Sequence, residues 1–155
     1  MKKVFLLILG LTVFSCGSSD DDQDIDDTTF LEKYDGYGFR YSGESADEYF
    51  FIYNTINFLK YVDIDTREDD NGDDRTYCEI YYEGTFPSGE DGDVTISIIS
   101  NNSTSLILSF IYGSTDETLI TLSVDSTGNT LNVDDGEEAR TFTKTSVIIT
   151  SLGCQ

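Results

Sequence analysis

Histidine is absent from the 155 residues. That removes an imidazole base, any Ser-His-Asp arrangement and any histidine-ligated metal. Three cysteines, Cys16, Cys78 and Cys154, are left as nucleophiles or ligands. Carboxylates abound, 30 Asp and Glu against 9 Lys and Arg, so two of them close together would say nothing about acid–base catalysis. We expect neither an enzyme nor a cofactor. The densest acidic stretch is 63–74, where Asp69, Asn71 and Asp73 offer oxygens suited to calcium. The EF-hand spacing fails there: counted back from Gly72, position one is Arg67, and position twelve is Cys78 in place of glutamate. A solvated hairpin loop is the alternative, and no metal site is assigned.

The remaining chemistry is aromatic. Beyond residue 15, 15 of the 18 Phe and Tyr rings lie between Phe30 and Phe86, and the later segments are aliphatic. In the stretch 48–53, Tyr49, Phe51 and Tyr53 fall on one side of an extended chain, Phe50 and Ile52 on the other. A strand apolar on both faces must meet something besides the core: a ligand, a partner or the tail. Tyr41, Tyr49, Phe51, Tyr53 and Tyr61, with Tyr77 and Tyr81, offer flat surfaces, most with a hydroxyl, that suit an amphipathic ligand. Ordinary core packing is the competing reading of the same residues.

The elements that must position these rings are almost all strands. Thr29, followed three residues later by Glu32, forms a capping box that opens a short helix through Tyr34, and Asp35-Gly36 ends it. Nine segments then read as strands: 37–42, 48–54, 58–64, 75–82, 93–99, 105–112, 117–124, 130–133 and 139–144. Each is short, rich in Ile, Val, Thr, Tyr or Phe, and bounded by Gly, Asn, Asp or Ser. Cys78, Ile80 and Tyr82 share one face; Val94, Ile96 and Ile98, Leu106, Leu108 and Phe110, and Ile120, Leu122 and Val124 form further sets. Residues between them are mostly Thr, Ser or Glu, which suits a wet outer face. A spacing near ten residues with tight turns at 127–129 and 134–136 implies antiparallel neighbours, closed as a barrel or packed as a two-sheet sandwich.

Ahead of this domain, Lys2 and Lys3 precede an apolar run, 4–14, too short to cross a bilayer as a helix but suited to a signal peptide. Val13-Phe14-Ser15-Cys16 resembles the bacterial lipobox, with Phe14 bulkier than that pattern usually carries. The resemblance implies cleavage after residue 15 and lipid on Cys16, and several acyl chains anchor a protein far more firmly than one. Ser19-Asp20-Asp21-Asp22 resembles the Ser-Asp-rich export signal of Bacteroidota-type lipoproteins, which implies the outer membrane and display on the cell surface; a plain solvated spacer is the alternative. We divide the chain into a signal peptide (1–15), a lipidated acidic tether (16–28) reaching about 20 Å, and a β domain (29–155). Without Lys2 and Lys3 the formal charge moves from −21 to −23. A surface that acidic excludes nucleic acid as a partner; the membrane is met through the lipid. With Cys16 lipidated, Cys78 and Cys154 are left as a pair to be oxidised outside the cytosol.

Over about residues 28–145 the order of elements is similar to that of lipocalin-like lipoproteins. Phe30-Leu31-Glu32-Lys33-Tyr34-Asp35-Gly36 leads into the first strand, and Gly128-Asn129-Thr130-Leu131 and Arg140-Thr141-Phe142-Thr143-Lys144 look like closing strands. The Gly-x-Trp motif is kept only in part, as Gly36-Tyr37-Gly38-Phe39. The resemblance implies an all-β, antiparallel up-and-down barrel with a short N-terminal helix. It further implies that a basic residue of the last strand, here Arg140, lies across the ring that replaces Trp, Phe39 or Tyr37, and that Cys78 and Cys154 strap the tail to the barrel. The function it implies is non-catalytic binding of a small apolar or amphipathic ligand. The alternative is a surface module that docks an outer-membrane or extracellular protein and holds no internal ligand.

Overall fold

The computed structural model describes residues 27–44, 46–65, 75–87, 92–113 and 116–154. Among them lie helix α1 (Phe30–Lys33) and ten strands: β1 (Gly38–Ser42), β2 (Ala46–Ile52), β3 (Leu59–Asp65), β4 (Arg75–Tyr81), β5 (Gly84–Pro87), β6 (Asp93–Asn101), β7 (Ser105–Tyr112), β8 (Asp116–Val124), β9 (Thr130–Asp134) and β10 (Ala139–Thr145), followed by one 3-10 turn (Ile149–Leu152). All ten strands form one antiparallel sheet in the order β4-β3-β2-β1-β10-β9-β8-β7-β6-β5. Each strand pairs with its neighbours in the chain, the first with the last, but β4 and β5 do not pair and stand at the two edges. The all-β, up-and-down expectation holds, and the sheet does not close.

The sheet nevertheless curls back over itself. β4 and β7 are seven steps apart in the sheet, roughly 34 Å if it were flat. Yet the rings of Tyr81 and Phe110 lie 5.3 Å apart, edge to face. One face of every long strand supplies the main core, β4 through Tyr81, and in it Phe39, Leu106, Leu108, Leu122, Leu131 and Phe142 are fully buried. Helix α1 covers one end. Its capping box forms as expected, with Thr29 N–H donating to Glu32 Oε2 at 2.8 Å and Glu32 N–H to Thr29 Oγ1 at 3.3 Å. Four residues have little helical stability of their own. The turn is held by burial of Phe30 and Leu31 and by Leu31 N–H donating to Asn101 Oδ1 at 3.2 Å. Rings then step from Phe30 through Tyr34 and Tyr37 to Phe39, carrying the helix into β1.

Two features depart from the sequence expectations, and a third decides between alternatives that the sequence left open. First, β5 escapes detection: it is only four residues long, begins with Gly84 and ends in Pro87, a composition that reads as a loop and is tolerated only at a sheet edge. Second, β4 is turned over. Its register sets Tyr61 opposite Glu79 and Val62 opposite Cys78, so Glu79 and Tyr81 share the face of Tyr61 and Leu59, while Cys78 faces outward. Third, the outer face of β2 is covered by the tail. Tyr49, Phe51, Val62 and Cys154 form a second buried cluster, with Tyr53, Ile64, Val147, Ile149 and Leu152 packed against it. The Cys78–Cys154 disulfide, with Cα atoms 6.0 Å apart, ties that tail to β4. It also accounts for the reversal of β4, because a strand bonded to the outer tail must point its cysteine outward, and the alternation then turns every other residue with it.

Candidate binding cleft at the sheet seam

The residues expected to bind ligand do not converge. Tyr49 and Phe51 stack at 6.1 Å beneath the tail, and Tyr53 packs on the same cluster with Lys60 Nζ 5.5 Å from its ring centre. Tyr41 and Tyr61 face the other way, 5.5 Å from Phe142 and 4.9 Å from Phe50 respectively. Of the alternatives for the doubly apolar strand, the tail is what covers it. Cys16 and Ser19, Asp20, Asp21 and Asp22 lie outside the described residues, as do Asp69, Asn71 and Asp73. Among the described residues no three His, Cys, Asp or Glu side chains gather as metal ligands would.

A basic residue of the last strand does lie across an N-terminal ring, but the ring is Tyr37, the alternative to Phe39, and the base is Lys144 where Arg140 was expected. The antiparallel register sets Phe39 opposite Lys144 and leaves Arg140 four residues away, toward the other end of β10. Lys144 Nζ sits 3.4 Å from the ring centre of Tyr37. Arg140 turns to the inner face, where its Nη1 donates to Glu48 Oε2 at 2.7 Å, and the Tyr61 hydroxyl donates to the same oxygen at 2.8 Å. Burial, then the hydrogen bond to Glu48, pushes the Tyr61 hydroxyl well above its ordinary range. Guanidinium, carboxylate and phenol thus satisfy one another on three strands, as partly buried polar groups must.

The chemistry left over collects at the seam. Tyr82 and Glu83 are the whole link between β4 and β5, short enough for a tight hairpin, yet the two strands part. Gly84, with φ of +142°, turns the chain aside in a conformation that side chains rarely adopt. Glu83 reaches across to accept from Ile98 N–H at 3.1 Å, where the β6–β7 register shifts between Ile98 and Ser100. The gap is a cleft of about 330 Å³ lined by Glu79, Ile80, Tyr81, Phe86, Pro87, Val94, Ile96, Phe110 and Tyr112. Ile96 and Phe110 make a dry floor, buried in the main core. Tyr81 and Phe110 stand at 88° to each other, and Phe86 is braced by Tyr82 at 4.2 Å.

Polar groups are few and placed. The Tyr81 hydroxyl donates to Glu79 Oε2 at 2.5 Å. Burial first, and then the Glu79 charge, pushes the Tyr81 hydroxyl far above its ordinary value. The same two causes in the same order raise Tyr112. One carboxylate therefore acts on phenols of two strands from opposite sides of the seam. A broader depression of about 550 Å³, near α1 and the β8–β9 turn, offers less. Asp125 on its wall is committed to the turn, accepting from Asn129 and Thr130 N–H and from the Thr127 hydroxyl.

Of the cleft residues, Tyr81 belongs to the tyrosine set legible in the sequence. Glu79, Phe86, Phe110 and Tyr112 do not stand out, because their convergence needs the sheet to curl. The signal that could have found them is Gly84 ahead of Phe86-Pro87, the mark of an interrupted sheet edge. No known family model, curated protein or solved structure matches the chain.

Proposed function

We propose that this chain is a lipid-anchored lipoprotein of the outer membrane, displayed at the cell surface, whose β domain binds a small amphipathic molecule at the seam and carries out no chemistry. The cleft carries the reading: apolar rings form its walls and floor, one carboxylate and two phenols edge it, and its volume of about 330 Å³ lies in the range of small-molecule sites. The inner face elsewhere is filled by its own side chains, Phe39 and Phe142 among them, so the ligand enters at the seam and not along the sheet's axis. The lipobox-like Val13–Cys16 segment and the acidic run behind it support the anchor, and the strap from β4 to the tail suits an oxidising compartment.

A docking module for an outer-membrane or extracellular protein is the second reading. Tyr77 and Ile80, 45% and 37% exposed on the edge strand β4, favour it, since a free strand edge bearing apolar side chains can accept another strand. Native mass spectrometry of the full chain purified from its own membrane separates the two. A discrete added mass below about 1 kDa, lost on Phe110→Glu, is the expected result; a co-purifying polypeptide with no small ligand would reverse the order. Anchoring is tested by Cys16→Ser, which should leave the membrane fraction. Retention there as complete as in the wild type would refute the lipid.

A further inference from the structure

The seam has a sign. Among the described residues lining the cleft, Glu79 supplies the only charge. The guanidinium of Arg140 is engaged by Glu48, and Arg75 stands four residues along β4 from Glu79, on the order of 13 Å away. The chain as a whole carries a formal charge of −21. An anion would therefore meet the Glu79 carboxylate at the cleft and a repulsive field around it. A neutral molecule would gain only contact with the rings. A cation gains both the carboxylate and the negative faces of aromatic rings, and an aromatic site edged by a carboxylate is the chemistry that recognises alkylammonium groups.

The geometry fits. Tyr81 and Tyr112 come from strands on opposite sides of the seam, and both respond to Glu79. The Tyr81 hydroxyl holds one carboxylate oxygen in place, so the charge is positioned before a ligand arrives. Phe110 and Ile96 lie deeper, buried and apolar. We propose that the cleft selects small organic cations with an apolar body, the ammonium group beside Glu79 against the rings of Tyr81 and Tyr112, and the body over Phe110 and Ile96. This rests on the seam being a ligand site, and it adds the class of ligand.

The test uses three probes that share one phenylpropyl body: 3-phenylpropyltrimethylammonium, 3-phenylpropanol and 4-phenylbutanoate. Each is titrated calorimetrically into the full chain and into Glu79→Gln, Tyr112→Leu and the charge-matched control Glu137→Gln. The ammonium probe should bind about tenfold more tightly than the alcohol, and the carboxylate more weakly than either. Glu79→Gln should bring the ammonium and alcohol to within about twofold, while Glu137→Gln keeps their ratio. Tyr112→Leu should weaken the ammonium more than the alcohol. Ammonium and alcohol binding equally well, or a preference that Glu79→Gln leaves unchanged, would overturn the cation assignment and leave the ligand site standing. Failure of all three probes would overturn both.

Discussion

Replacing Cys78 and Cys154 together by alanine should cost the domain most of its margin of stability. The disulfide joins residues 76 apart in sequence, and closing a loop of that length restricts the unfolded chain by about 4–5 kcal/mol. Folded domains are stable by only about 5–15 kcal/mol. For a domain of this size the loss corresponds to a fall in Tm of about 15 °C. The loss has a definite place as well as a size. Without the bridge, Val147, Ile149 and Leu152 are held over Tyr49, Phe51 and Val62 by packing alone, so tail amides should exchange before those of β7 and β8. Thermal melts of the variant, and of wild type under reductant, should coincide; hydrogen exchange by mass spectrometry should show the tail opening first. A shift below about 3 °C, or a tail protected as well as the central strands, would refute the claim that the strap holds the outer face of β2.

Three further outcomes follow from the geometry. A double-mutant cycle on Tyr37→Leu and Lys144→Met should give a coupling of about 0.5–2 kcal/mol in urea melts, while Phe39→Leu with Arg140→Met gives close to none. In alkali, Tyr81 stays protonated in the fold while the unfolded chain ionises it near pH 10. Its contribution is therefore fully present below about pH 10 and declines above it by about 1.4 kcal/mol per pH unit, toward the raised folded value. Tyr81→Phe should make the stability–pH curve shallower over that window, and an unchanged slope would contradict the assignment. Gly84→Ala should destabilise by about 1–3 kcal/mol, since a φ of +142° strains a side chain even though its Cβ would meet Phe86 only at an ordinary 3.5 Å; a neutral result in urea would mean that the seam does not depend on that turn.

What the sequence determined by itself was local. Cap and turn chemistry act within a few residues, so Thr29 with Glu32 marked the helix, and the aspartates and glycines at 127–129 and 134–136 marked their hairpins. β-rich composition between turn residues marked nine of the ten strands described, with clear alternation in four, and the counterparts of Ser105–Tyr112 and Glu117–Val124 shifted by a residue at most. Period-two alternation defines two faces without saying which of them is inside. β4 shows this: Cys78, Ile80 and Tyr82 read as one buried set, but the bridge to Cys154 turned Cys78 and Ile80 outward and put Glu79 and Tyr81 on the core side, while Tyr82, past the end of the strand, still packs against the core. The second apolar face of β2 was visible in Tyr49 and Phe51, but its cover comes from a tail about 100 residues later. Whether Lys144 or Arg140 reaches an aromatic ring depended on the β1–β10 register, fixed by strands at opposite ends of the domain. The seam belongs wholly to tertiary structure. It exists because Gly84 diverts β5 from β4 while the six strands between β4 and β7 carry Phe110 and Tyr112 round to face Tyr81, and no window of neighbouring residues contains that meeting.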